Sequence, residues 1–88
     1  MNVLFERTFM KDIEKIRAAS VRLAVRSAIE TVKAAETPQL IQGMRKMNGY
    51  SDFYRIRIGD YRIGLRITDS TVIFVRLLHR KDIYKKFP

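Results

Sequence analysis

Hydrophobic and polar residues alternate along the second half of the chain, which is the pattern of β-strands with one buried face. The alternation runs through residues 53–58, 61–68 and 71–78, and short turn sequences, Gly59-Asp60 and Asp69-Ser70, separate the three stretches. Strands joined by such short turns pair antiparallel, so this half of the chain predicts a β-meander. A further short strand is predicted at 44–47.

The first half of the chain follows helical spacing instead. A short strand is predicted at 2–7, and Thr8 is a candidate N-cap for a first helix. The second helix is predicted to begin at Ser20 and to end at Thr37-Pro38, because a proline disfavours helix in the residue before it. The short break near 18–20 predicts an antiparallel helical hairpin. The apolar positions at helical spacing are Phe9, Ile13 and Ile16, then Val21, Ala24, Val25, Ala28, Ile29 and Val32.

These elements predict an α+β fold, with an N-terminal strand and a helical hairpin packed on an antiparallel β-meander. With 88 residues and no linker sequence, residues 1–88 are expected to form a single domain. The third meander strand is apolar on both faces, so it is predicted to be central. Val72, Phe74 and Leu78 are assigned to the helix side, and Ile73, Val75 and Leu77 to the other. Residues 79–88 are expected to form one helical turn or a flexible tail, and they are the candidate cover for the second face.

The meander should gather arginines on one face. A two-residue loop at Gly59-Asp60 would pair Arg57 directly with Arg62, because the side-chain period of a strand is two. Arg55, Gly64 and Arg66 then share their face, and the helices, which cover the opposite face, leave the arginine face open. Like charges on opposing strands repel each other, so this row is either a solvated surface or a site for an anionic partner. Four arginines with a cross-strand pair favour anion binding.

Charge and composition point to a polyanionic partner. The chain carries 18 Lys and Arg against 9 Asp and Glu, a net charge of +9. Residues 45–88 hold eleven of the basic and four of the acidic side chains, which gives them a net charge of +7. Nucleic acid is the favoured partner and an acidic protein is also compatible, whereas no basic amphipathic helix indicates a membrane. With no cysteine and one histidine, no metal site or other cofactor is expected, and the default location is the cytoplasm.

Three segments of the sequence resemble the RelE branch of the RelE/ParE toxin superfamily: YRIRI at 54–58, YRI at 61–63 and HRKDIY at 79–84. The resemblance implies a RelE-like microbial RNase fold and the toxin of a type II toxin–antitoxin pair. Such a toxin is a metal-independent endoribonuclease that cleaves mRNA in the ribosomal A site and so inhibits translation. Its expected partners are the ribosome, mRNA and an acidic antitoxin that holds it in an inactive hetero-oligomer.

The resemblance also implies the catalytic residues, which by position are Arg55, Arg57, Arg62, Arg80 and Tyr84. The first two are often lysine in the family, and arginine suits charge stabilisation on a phosphate better than proton abstraction. His79 is the only side chain with an ordinary pKa near neutrality, so it is a candidate for proton transfer, with local packing at a strand end as the alternative. Tyr84 is expected to stack on a base or to transfer a proton, unless it merely anchors the tail.

Further basic residues are predicted to extend the RNA-binding surface: Arg45, Lys46, Arg66, Lys81 and Lys85. For Arg45 and Lys46 the favoured alternative is a pair of solvated surface residues. Met44, Met47 and Phe53 are assigned to the core or to a groove for an antitoxin helix. Two other functions stay open. One is a ParE-like toxin that poisons DNA gyrase, and the other is a non-catalytic RNA-binding protein or a toxin that has lost activity, for which the missing lysines would be the sign.

Overall fold

A mixed five-stranded sheet with three helices forms the α+β fold of this protein in the computed structural model, which describes residues 1–88. The elements are β1 (Asn2–Phe5), α1 (Arg7–Glu14), α2 (Ala19–Ala34), a 3-10 turn (Pro38–Leu40), β2 (Met44–Lys46), β3 (Phe53–Ile58), β4 (Tyr61–Thr68), β5 (Thr71–His79) and α3 (Ile83–Lys86). The strand order is β1-β5-β4-β3-β2. β1 pairs parallel with β5 and every other pair is antiparallel. β5 lies between β1 and β4, so it is an interior strand, in keeping with its two apolar faces.

The β3–β4 hairpin has the predicted register. Arg57 pairs with Arg62 and Ile58 pairs with Tyr61 across the loop Gly59-Asp60. Gly59 has a φ of +54°, which a two-residue hairpin turn with glycine at its first position requires. The alternating pattern and the turn residues therefore determine this hairpin locally.

A β-bulge in β5 overturns part of the predicted burial. Two adjacent residues of β4 pair with β5 residues two positions apart, Leu65 with Phe74 and Gly64 with Arg76, so Val75 is extra. One extra residue reverses the facing of every later side chain in a strand. Leu77 therefore enters the helix-side core and Leu78 lies on the opposite face. The sequence assignment of these two leucines, made from uninterrupted alternation, is wrong.

The helix-side core joins both helices to the sheet. α1 packs mainly against β5, whereas α2 packs against β3 and β1, so each helix contacts the sheet more than it contacts the other helix. α1 begins at Arg7, one residue before the predicted cap, and the Thr8 hydroxyl donates to the Val75 carbonyl at 2.7 Å instead. α2 spans Ala19–Ala34, with its apolar residues on the core side as predicted. The fully buried members of this core are Phe9, Val32, Ile63, Leu65, Val72 and Phe74.

The buried carboxylate of Asp12 pairs with the part of the β5 edge that β1 does not cover. β1 ends at Phe5, and beyond it the Asp12 carboxylate accepts a hydrogen bond from the backbone N–H of Leu77 at 2.9 Å. Arg76 donates to both oxygens of Asp12, at 2.8 and 3.2 Å. A bidentate, largely buried pair of this kind joins α1 to the sheet and satisfies an otherwise unpaired strand donor.

A second, smaller core lies on the other face of the sheet. Met47, Leu78, Ile83 and Phe87 are buried there, with Phe53 and Val75 packed around them. The tail therefore forms a helical turn, α3, with its flanking residue Phe87 buried. This packing covers the second face of β5, the role expected of residues 79–88, and leaves the arginine face only partly open.

Gly64 allows the tail to lie this close. A Cβ atom added at Gly64 would lie 2.8 Å from the Phe87 ring, well inside van der Waals contact. A glycine in the interior of a strand weakens the strand and often marks such a close approach. The contact between Phe87 and Gly64 thus holds the C-terminal segment on the sheet.

Asp12→Ala should destabilise the protein by about 3 kcal/mol, because Arg76 and the Leu77 N–H lose their buried acceptor. The matched control is Asp52→Ala, which removes a more exposed pair with Arg66 at 3.0 Å, against 2.8 Å for Arg76 and Asp12, and should cost less than about 1 kcal/mol. Urea unfolding of both variants measures the difference. Equal losses of stability would contradict this account of α1 docking.

Gly64→Ala should lower the free energy of unfolding by about 1–3 kcal/mol, the usual cost of overpacking, because the added methyl displaces Phe87. The same substitution in a Phe87→Ala background should cost much less, since no ring is left to clash. A double-mutant cycle of urea unfolding curves tests this coupling. Additive losses would show that Gly64 is required for another reason.

Candidate nucleic-acid interface

Two rows of arginines cross the sheet on the face that carries the tail. In the first row, Arg45 of β2 pairs with Arg55 of β3, which pairs in turn with Gly64. In the second, Arg57 pairs with Arg62. Direct cross-strand partners place their side chains on the same face, so the rows form one electropositive surface. The β3–β4 pairs follow from the predicted register, and the structure adds the pairing of Arg45 with Arg55.

Arg62 lies at the centre of the positive charge. The residue is partly exposed, and its Nη1 donates to the Gly59 and Tyr61 carbonyls at 2.8 and 2.9 Å. Partial burial lowers the pKa of Arg62 below its ordinary value, and the positive charges of Arg57 and Arg55 lower that pKa further. No carboxylate is among its hydrogen-bond partners, so an incoming anion would relieve the repulsion around it.

The C-terminal segment adds Arg80 and Tyr84 to this surface. Arg80 is held by its backbone N–H, which donates to the Asp60 carbonyl at 2.8 Å, and its charge also acts on Arg62. Tyr84 is 65% exposed, and the Arg55 guanidinium lies 5.9 Å from the centre of its ring. The structure therefore brings together five residues that the resemblance implies: Arg55, Arg57, Arg62, Arg80 and Tyr84.

His79 lies apart from this group. It pairs with Tyr61, whose ring packs against the helix-side core, and the two rings meet edge to face at 5.6 Å. The His79 Nδ1 accepts a hydrogen bond from the backbone N–H of Lys81 at 3.2 Å. Because Arg62 faces the tail side of the sheet, His79 is on the opposite face from the arginines. Its surroundings match the local packing alternative.

A cleft of about 640 Å³ opens between the tail and the β2–β3 loop. Four of its lining residues, Arg45, Lys46, Arg55 and Tyr84, are among those predicted from the sequence. Asn48 and Tyr50 are not predicted from the sequence, because they belong to a loop without periodicity and enter the site only where the tail packs opposite them. The complete lining is Arg45, Lys46, Met47, Asn48, Tyr50, Arg55, Tyr84 and Phe87.

The other predicted RNA-binding residues surround this surface. Arg66 pairs with Asp52 at 3.0 Å and lies 5.9 Å from the centre of the Phe53 ring, so its charge is partly neutralised. Lys46 pairs with Tyr54 on the helix side, yet it still borders the cleft because β2 is an edge strand. Lys81 and Lys85 are exposed on the C-terminal segment.

The other residues singled out in the sequence have structural roles. Met47 and Phe53 belong to the second core and Met44 packs on the first, as one of the two sequence interpretations had it. No cluster of His, Asp or Glu is placed to hold a metal ion. None of the helices has both the length and the apolar character needed to cross a membrane.

Residues 3–84 match the family model of the ParE toxin of type II toxin–antitoxin systems, so the chain belongs to that toxin family. Within it, the chain is similar to the RelE branch. It is 40% identical to Toxin RelE3 of Methanocaldococcus jannaschii over the full length of both chains. A RelB–RelE antitoxin–toxin complex from Methanococcus jannaschii superposes with a TM-score of 0.79 at 38% identity, covering 97% of this chain and 99% of the other. A RelE–RelB complex from Pyrococcus horikoshii gives 0.70 at 22% identity, with coverage of 90% and 93%, and shows the same fold.

Arg57→Gln should raise the stability of the free protein by about 0.5 kcal/mol at low salt, because it removes the like charge opposite Arg62. The gain should disappear at high ionic strength, where exposed charges are screened. Arg17→Gln, the same change of charge in the exposed segment between α1 and α2, is the matched control and should have little effect. Urea unfolding at two salt concentrations measures the difference. A loss of stability in Arg57→Gln would show that this arginine has a structural role.

Proposed function

We propose that this protein is a toxin that cleaves ribosome-bound mRNA and thereby inhibits translation. The observation that supports it is the meeting of four arginines and Tyr84 on one face of the sheet. RNA cleavage by the 2′-hydroxyl builds negative charge on a phosphorane-like transition state, and preorganised donors at that charge lower the barrier. The arginines supply such donors in fixed forks that match phosphate oxygens.

Each residue has a proposed role that follows from its position. Arg62 is anchored to two backbone carbonyls, so its remaining N–H groups are held in place for the scissile phosphate. Arg57 is exposed beside it, and Arg80 approaches from the tail. Tyr84, exposed and close to Arg55, is placed to stack on a base next to that phosphate.

In this proposal the 2′-oxygen bonds to phosphorus as the bond from phosphorus to the 5′-oxygen breaks; the hydroxyl proton passes to water, and water returns a proton to the 5′-oxygen. The arginines accelerate this step by charge stabilisation and by holding the 2′-hydroxyl in line with the leaving oxygen. His79 is not part of it, since its ring lies on the other face of the sheet and its Nδ1 accepts a backbone hydrogen bond. The reaction needs no metal ion or other cofactor in this scheme.

We further propose an acidic antitoxin as the regulatory partner in the cytoplasm. The similar archaeal structures are complexes of a RelE toxin with a RelB antitoxin. In this protein, the net charge of +7 in residues 45–88 gives an acidic segment a complementary surface. A hetero-oligomer formed over the arginines would block access of RNA to them.

Inhibition of DNA gyrase is the second candidate function, because the matching family model is that of the ParE toxin. This activity would not require the arginine cluster to contact a scissile RNA phosphate. The two candidate functions therefore differ in their expected effect in the cell, which is cleavage of mRNA for the first and inhibition of DNA gyrase for the second.

Inducible expression without antitoxin, followed by primer extension on a reporter mRNA, tests the first proposal. The wild-type chain should give discrete cleavages in phase with codons. Arg62→Ala should reduce cleavage by about a hundredfold or more, the usual effect of removing one charge-stabilising donor. Full cleavage by a folded Arg57→Ala, Arg62→Ala double variant would refute the proposal, and growth arrest without mRNA cleavage would favour gyrase.

His79→Asn should keep cleavage within a few-fold of wild type, because the ring lies on the opposite face of the sheet from the arginine cluster. It is the matched control for Arg62→Ala, since both positions lie at the same end of the sheet. The same primer-extension experiment measures it, with circular dichroism to confirm that both variants are folded. A loss comparable to that of Arg62→Ala would restore His79 as a candidate for proton transfer.

A further inference from the structure

We infer that the cleft between the β2–β3 loop and the tail binds one unstacked base of single-stranded RNA, with Tyr50 and Asn48 as its recognition residues. The inference rests on the proposed function, because it assigns a specificity subsite beside the proposed cleavage centre. Neither residue belongs to the set implied by the resemblance.

Tyr50 is positioned as a stacking platform. Its ring is 47% exposed and meets Phe53 edge to face at 5.6 Å, and Phe53 meets Phe87 in the same way at 5.5 Å. The second core thus supports one side of Tyr50 while the ring still lines the cleft. Tyr84 lines the same cleft from the tail, so two exposed aromatic rings border one space. Exposed aromatic rings are the common means of binding single-stranded bases.

The charges in the cleft connect it to the cleavage centre. Arg45 and Arg55 are direct cross-strand partners and both line the cleft. Arg55 also lies close enough to act on Arg62. An RNA strand with one phosphate on Arg62 can therefore place a neighbouring phosphate on the Arg45–Arg55 pair. The base between these two phosphates would then enter the cleft.

Asn48 supplies the polar group that reads a base. Its side-chain amide is exposed in the cleft and offers both donors and an acceptor, which match the mixed edges of nucleobases. The cleft volume of about 640 Å³ lies within the range of ligand sites. An acidic peptide would use the arginines equally well. The two tyrosines and the amide favour a base over a carboxylate side chain.

Binding of a short single-stranded RNA that carries one 2-aminopurine tests the inference, because stacking quenches the fluorescence of that base. Wild type should quench it, and Tyr50→Ala should weaken binding by about ten- to a hundredfold, the usual range for loss of one stacked base. Tyr50→Phe keeps the ring and should bind like wild type. Leu23→Ala, which removes an exposed apolar side chain from α2, outside the cleft, is the matched control. Asn48→Ala should keep quenching but change which base is preferred.

The outcomes separate this inference from the proposed function. RNA that is bound and quenched but never cleaved on ribosomes would refute the cleavage proposal and leave the subsite standing. Absence of quenching by wild type, or unchanged affinity in Tyr50→Ala together with unchanged base preference in Asn48→Ala, would overturn the subsite. If an acidic peptide binds the cleft and neither RNA nor free nucleotide displaces it, the cleft would be assigned to a protein partner.

Discussion

The contact between Phe87 and Gly64 is the constraint on which the functional face depends. It requires a strand residue without a side chain, because a Cβ at that position would overlap the ring. With the ring in place, Ile83 of α3 and Leu78 of β5 are buried between the tail and the sheet, and α3 is fixed against the sheet. Without it, the arginines would form a flat row of charge with no opposing wall and hence no cleft.

The two faces of the sheet carry different parts of the free-energy balance. The helix side holds the larger apolar core and supplies most of the stability. The tail side places Arg57 opposite Arg62, an arrangement that opposes folding of the free protein. A polyanion or an acidic partner removes this repulsion on binding. The same charges therefore raise the free energy of the empty surface and favour binding of a negatively charged molecule, which fits membership of a toxin–antitoxin family.

The end of β5 shows how a local change in geometry separates sequence neighbours. His79 and Arg80 are adjacent in the sequence, yet the ring of His79 lies beside Tyr61 on the helix side of the sheet. The charge of Arg80 acts instead on Arg62, on the tail side. The cluster that results holds guanidinium groups and a phenol. Such a set is suited to stabilising charge on a phosphate and to stacking on a base, rather than to acid–base exchange near neutral pH.

The sequence by itself determined the elements that depend on local periodicity: the meander, the hairpin register with its Arg57–Arg62 pair, and the apolar side of α2. These follow from alternation, turn residues and helical spacing, which act over a few residues. Only the tertiary structure decided the bulge at Val75, the face of His79, the close contact of Phe87 with Gly64, and the entry of Tyr50 and Asn48 into the cleft. Each of these depends on contacts between segments far apart in the chain, and such packing leaves no periodic signal in the sequence.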